Sequence, residues 1–232
     1  MLGGTAEATQ LAKALGPQAV LSLAGVTKTP LATPHRVGGF GGVEGLLHYL
    51  GAKNIHAIID ATHPFAAQMS HNAVAAARQS GLPLLRLERP PWPHSPDWQM
   101  VDDLAAAAQA LPAGARAFLS VGSRSLTPFL VRTDIWCLTR CIEPPARCPP
   151  GHLLIQRPPF SLEAEKALLK THNISHLVSK NAGGAATVAK LEAAWLLGVE
   201  VIMAQRPPLP TAHTVDTIAG ALTWVAQIKG TK

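Results

Sequence analysis

Charge and aromatic rings are both scarce in this chain. Of its 232 residues only 15% are Asp, Glu, Lys or Arg, and only 5% are aromatic, with one tyrosine. With 47% hydrophobic residues, that composition excludes a disordered, self-repelling chain. No apolar run reaches the roughly 18 residues of a membrane span, so no membrane partner is expected. The net charge is +6, yet no dense Lys/Arg run concentrates it, so no nucleic-acid partner is expected either. Cys137, Cys141 and Cys148 are odd in number and match no zinc spacing. They read as reduced thiols, and no metal is expected. A charged leader with a cleavage site is also missing, which makes the cytoplasm the expected location. A full G-x-G-x-x-G is absent. So is a helical Tyr-x-x-x-Lys pair: Tyr49 and Lys53 are separated by Gly51.

What is present is alternation. Thr5 to Leu15 reads as a helix closed by Gly16-Pro17, and Ala19 to Leu23 as a strand. The pattern then repeats: helices over 43–50, 66–80, 102–111, 162–172, 186–197 and 214–228, with strands at 55–60, 84–87, 98–101, 117–121, 135–140, 153–156, 176–179 and 199–203. Strands alternating with helices predict parallel sheets of the βαβ type, an α/β class. The segment from Ala24 to Gly42 reads as a loop. Pro112-Ala113-Gly114 reads as a break, which predicts domains over 1–113 and 114–232.

Two stretches resemble each other. A strand ending at Asp60 leads into ATHPF, an Ala-rich helix and GLPLLRLERPP; a strand ending at Ser179 leads into KNAGG, an Ala-rich helix and GVEVIMAQRPP. The repetition predicts two similar Rossmann-like halves with a cleft at the carboxyl ends of their strands, where open α/β sheets bind ligands.

Several constellations could serve that site. Gly3-Gly4-Thr5-Ala6 ahead of a helix lets the backbone approach a pyrophosphate, with first-turn N–H groups aimed at the anion. After the next strand, Ala24 to Thr29 contains no acid for a free ribose; Lys28 with Thr27 and Thr29 suits a ribose phosphate, which favours NADPH over NADH. Gly38, Gly39, Gly41 and Gly42 form a bare stretch around Phe40. Asp60, Thr62 and His63 follow a strand's carboxyl end, and His63 is a candidate proton donor. In the second half, Lys180, Asn181, Gly183 and Gly184 occupy the equivalent place. With Arg157, Lys190 and Arg206 they read as an anion receptor.

The ordered set LGGTAEA, SLAG, RVGGFGGVEGL, DATHPFA, LLRLERPPW, SKNAGG, AKLEAA and VIMAQRPP resembles the precorrin-6A reductase family of cobalamin biosynthesis, over nearly the whole chain. The resemblance implies two α/β domains and NADPH-dependent reduction of one carbon–carbon double bond in an anionic tetrapyrrole, giving precorrin-6B. Relatives in the anaerobic pathway act on the cobalt-bearing equivalent. A protein that binds NADP without catalysis is the alternative in another class. By the same resemblance Gly3, Gly4 and Thr5 hold the pyrophosphate, Gly38 to Gly42 and Asp60 to His63 line the nicotinamide side, and Lys180 and Asn181 face substrate. A monomer or weak dimer is expected. Family members commonly read SLAGRT where this chain has Val26, and they place an arginine one position earlier than Arg124. They also carry several apolar residues before LGGT, where only Met1 and Leu2 stand here. That implies either a start upstream of Met1 or a shortened central strand.

Overall fold

The computed structural model describes residues 1–25 and 34–230. Its contacts divide the chain into two units, Met1–Pro90 with Pro208–Lys232, and Pro91–Pro207. Every strand pairing among the described residues is parallel.

In the first unit the helices are α1 (Ala6–Leu15), α2 (Val43–Ala52), α3 (Ala67–Ser80) and α7 (Ile218–Gly230), and the strands are β1 (Leu21–Leu23), β2 (His35–Val37), β3 (Ile58–Asp60), β4 (Leu84–Leu87) and β11 (His213–Val215). The strands form two sheets, β1–β2 and β11–β4–β3. Leu2 joins them, bridging in parallel to Ser22 on one side and Asp60 on the other. Its N–H donates to Ile59 O at 2.8 Å, and its carbonyl accepts from Ala61 N at 2.9 Å. The Met1 ammonium donates to Val20 O at 2.9 Å. Met1 and Leu2 thus supply the one ladder step that makes the order β2–β1–Leu2–β3–β4–β11 continuous.

The second unit carries β5 (Trp98–Val101), α4 (Leu104–Ala110), β6 (Arg116–Ser120), β7 (Trp136–Cys141), β8 (Gly151–Ile155), α5 (Leu162–Thr171), β9 (His176–Lys180), α6 (Ala189–Leu197) and β10 (Glu200–Ala204). Its sheet runs β8–β7–β6–β9–β10–β5. The two orders correspond place for place, with β6 where Leu2 stands and β9 where β3 stands. The repetition read in the sequence is therefore a repeated sheet order.

Core composition follows from strand alternation. In the second unit Ala117 and Leu119 of β6 pack on one face with α4, while Phe118 packs on the other with α5 and α6. In the first, Leu85 and Ile59 face α1 and α7, while Ile58 faces α2 and α3. Caps follow the side chains: Asp103 accepts from Ala106 N at 2.8 Å and starts α4 at Leu104, two residues inside the expected start at 102.

The chain changes units at Pro90–Pro91 and at Pro207–Pro208. Both crossings fall in the repeated Arg-Pro-Pro, where prolines hold an extended backbone and offer no N–H to a ladder. The strand after each crossing joins the sheet of the other repeat: β5 pairs with β10 and β11 with β4. The expected boundary at residue 113 is corrected accordingly. Pro112 to Gly114 is a turn between α4 and β6 inside the second unit, because β5 already belongs to that unit's sheet. Two short strands also depart from expectation. His35–Val37 is β2 rather than loop, and Thr214 and Val215 lie in β11 rather than in the closing helix.

Candidate active site

The first unit's strand order changes direction between Leu2 and β3, since β1 and β2 lie to one side and β3, β4 and β11 to the other. Open α/β sheets bind ligands outside the carboxyl ends at such a point. Gly3-Gly4-Thr5 leaves the sheet there. Gly4 has φ +130°, and no atom lies within 4 Å of where its Cβ would stand. That is bare backbone in open space, as a pyrophosphate cradle requires. Thr5 is the N-cap of α1, accepting from Ala8 N at 3.1 Å and donating to Ala61 O at 3.0 Å. Its hydroxyl thus holds the turn on the end of β3. The N–H groups of Ala6 and Glu7 in the first turn have no partner within the helix. Glu7, whose charge would oppose an anion there, is paired with Arg89 at 2.9 Å. The residues present fit a dinucleotide.

Gly38 and Gly39 are organised by a residue that motif reading passed over. Arg36 donates to Gly38 O at 2.9 Å, Gly39 O at 3.0 Å and Ser22 Oγ at 2.9 Å, and its guanidinium lies over Phe40 at 4.1 Å. The signal was present as an arginine before Val-Gly-Gly-Phe, but only the fold shows that it clamps the loop. Lys28 lies outside the described residues.

Asp60 is 1% exposed, so it does not face ligand space as expected. Its Oδ1 accepts from Thr62 Oγ1 at 2.7 Å and Thr62 N at 3.2 Å, and its Oδ2 lies 3.6 Å from Arg86 Nε. Asp60 therefore orients Thr62 from beneath. His63 Nδ1 accepts from Phe65 N at 3.2 Å and shapes the following turn. A recess of about 320 Å³ between α3 and residues 211–212 is lined by Leu84 at the opposite, amino end of β4, away from these groups.

In the second unit the direction changes between β6 and β9. Lys180 ends β9 there, and its Nζ donates to Ser125 Oγ at 2.6 Å in the loop leaving β6. Burial lowers the Lys180 pKa from 10.5 to about 8. The loop Gly122-Ser123-Arg124-Ser125 holds the place of Gly3-Gly4-Thr5, because Ser120 pairs with Ser179 as Leu2 pairs with Asp60. The sequence marks this loop only as a departure from the family's arginine, and a single-turn 3-10 helix, Ser123–Ser125, follows Gly122 instead of an α-helix. Gly122 and Gly184 have matching backbones, φ 85° and 83° with ψ 154° and 156°, so both loops turn alike.

The other expected receptor residues serve the loop itself. Asn181 is buried; its Oδ1 accepts from Trp92 N at 2.8 Å and its Nδ2 donates to Trp92 O at 3.3 Å. Arg206 donates to Asn181 O at 2.9 Å and Ala182 O at 3.1 Å. Lys190 is 3% exposed, donates to Thr187 O at 3.0 Å and lies under Trp92, so it is a packing cation and not an open anion contact. Gly183 and Gly184 form the turn, and Trp92 Nε1 donates to Gly184 O at 2.9 Å. Arg157 is not brought to this site. It follows β8, three strand places from β9 or about 14 Å at ordinary inter-strand spacing, and pairs with Glu143.

All three cysteines are free; burial pushes Cys137 up to about 12 and Cys141 up to about 11, as inert core thiols. Among the described residues no group of three or more His, Cys, Asp or Glu is placed to hold a metal, and no helix is long and apolar enough to cross a membrane.

Residues 1–226 match the family described as precorrin-6x reductase CbiJ/CobK. The chain belongs to the precorrin-6x reductase family. A precorrin-6A reductase of Rhodococcus erythropolis is 47% identical over 240 residues, covering 98% of this chain and 97% of that one. A precorrin-6A reductase of Rhodobacter capsulatus is 46% identical, covering 97% and 94%. A solved structure titled CobK precorrin-6A reductase superposes with a TM-score of 0.90 at 46% identity, covering 97% of this chain and 95% of that one. The similarity therefore spans both units.

Proposed function

We propose that this chain reduces a carbon–carbon double bond of precorrin-6A to give precorrin-6B, with NADPH as the reductant. The observation that carries the reading is the pair of equivalent carboxyl-end sites within a precorrin-6x reductase chain. One is an open glycine turn suited to a pyrophosphate, the other a lysine-bearing loop pair suited to a carboxylate-rich ring. The nicotinamide supplies hydride when bound. The chain's own residues position the reactants. Gly3, Gly4 and the first turn of α1 hold the pyrophosphate. Arg36 fixes Gly38 and Gly39 against it, and Asp60 presents Thr62. NADPH is favoured over NADH because no acidic residue lies between Ala24 and Thr29 to bind a free ribose, while Lys28 supplies a cation. Lys180 and the loops after β6 and β9 receive the tetrapyrrole. Metal-free precorrin-6A is favoured as substrate because relatives at 46–47% identity carry that name.

The test is anaerobic incubation of the protein with precorrin-6A and either nucleotide, following nicotinamide and tetrapyrrole absorbance together. Reduction with NADPH and little with NADH is expected. No nicotinamide oxidation overturns the reaction, and equal use of NADH overturns the ribose-phosphate reading. Faster turnover of cobalt-precorrin-6A overturns the metal-free assignment.

A further inference from the structure

Reducing a double bond needs a proton as well as a hydride, and the second unit offers a donor. Its switch point lies between β6 and β9, and two loops leave the sheet there. A hydrogen bond from Lys180 Nζ to Ser125 Oγ at 2.6 Å ties them together. This fixes the end of a flexible four-carbon side chain at the carboxyl end of β9, beside the loop leaving β6. We propose that Lys180 is the proton donor of the reduction, its ammonium held by Ser125 and aimed at the macrocycle carbon beside the one that takes hydride. The proposal rests on the second unit being the tetrapyrrole site.

Chemistry narrows the choice among the groups in these two loops. Guanidinium does not release a proton near neutrality, which removes Arg124 and Arg206. The Ser123 and Ser125 hydroxyls are too weakly acidic. Asn181 is bound to the Trp92 backbone at 2.8 and 3.3 Å. Lys180 is left, and burial brings it from 10.5 to about 8, within reach of operating pH. The charged groups on surrounding elements are Arg124 after β6, Arg206 after β10 and Lys190 in α6, all cations. Of the acids on those elements, Glu192 of α6 is exposed and Glu200 stands at the opposite end of β10. The lowering comes from burial. In the step itself one carbon of the double bond takes hydride from the reduced nicotinamide nucleotide. The π electrons then form the second C–H bond with the proton from Nζ, the N–H bonding pair stays on nitrogen, and water reprotonates the amine.

Two measurements test this. Competitive acetylation across pH, read by mass spectrometry on the Lys180 peptide of the whole protein, is expected to show a midpoint near 8. In Lys180→Arg, where charge stays but acidity is lost, precorrin-6A and NADPH binding should stay within about threefold while kcat falls about 10²–10⁴-fold. The basic limb of the wild-type kcat–pH profile should disappear in that variant. Lys180→Met, checked for folding by circular dichroism, should lose kcat and also bind precorrin-6A more weakly. A labelling midpoint above 10, turnover by Lys180→Arg within about fivefold of wild type, or a basic limb abolished by His63→Gln instead, overturns the assignment. An inert wild type overturns the functional reading and this proposal together; an active wild type with an active Lys180→Arg overturns the proton donor alone.

Discussion

Glu165→Leu tests how the second unit holds α5 to its sheet. Arg140 of β7 and Glu165 of α5 are 6% and 1% exposed, and they meet bidentately at 2.5 and 3.2 Å. The guanidinium also lies 3.8 Å from the Phe160 ring and 4.7 Å from the Phe118 ring. Removing the carboxylate leaves that charge between two aromatic faces with its partner gone. Breaking a buried pair from one side costs about 3–5 kcal/mol, more than a cavity of this size, because the remaining charge has lost its solvation and gained nothing. At about 2–4 °C per kcal/mol the midpoint of thermal unfolding should fall by roughly 6–20 °C. Arg140→Met/Glu165→Leu removes both charges and should recover most of the loss. Urea unfolding followed by tryptophan emission suits the question, since four of the five tryptophans, 92, 98, 136 and 195, lie in the second unit. A single variant within about 1 kcal/mol of wild type, or a double variant as unstable as the sum of the two singles, would refute the reasoning.

Two further outcomes are expected. His172 stacks between Trp136 and His152, at 5.8 and 5.7 Å, and burial, His152 and Arg116 lower its pKa from 6.5. Folding favours the neutral ring, so its contribution is present above the unfolded value and is lost as pH falls through the folded one. The acid limb of the stability–pH curve should therefore be shallower in His172→Gln, and an NMR titration placing His172 at or above 6.5 would contradict this. Asn181→Ala frees both Trp92 backbone groups in a buried site and should cost about 1–3 kcal/mol. It should lower precorrin-6A affinity only through the loop; a variant with native stability and lost binding would make Asn181 a direct ligand instead.

Much of the architecture is legible along the chain because strand and helix write themselves in short-range patterns. Ala117, Phe118 and Leu119 alternate between two cores, and Thr5 and Ser161 cap helices through bonds to residues three positions on. The glycine turn was legible for the same reason, since its chemistry lies in consecutive residues. The two short edge strands were not, because three residues carry too little pattern and their partners stand far away in sequence.

The site divides along the same line. The strand-end positions of Lys180, Gly3 and Gly4 were readable from the pattern around them. Asp60, Lys190, Asn181 and Arg206 were readable as polar, but their use in holding the fold was not, because burial and partners depend on what packs above them. Arg157 read as a neighbour of Lys180 until the sheet order placed two strands between β8 and β9. Arg36 and Ser125 gained their roles only from contacts across the sheet. The alternation along the chain was enough for the two α/β repeats and the turns at their strand ends. The tertiary structure alone decided that the repeats exchange β5 and β11 and that Met1–Leu2 closes the first sheet. It also decided which cations the fold uses for its own packing. A parallel ladder is made between residues far apart in the chain, and no local pattern records its partner.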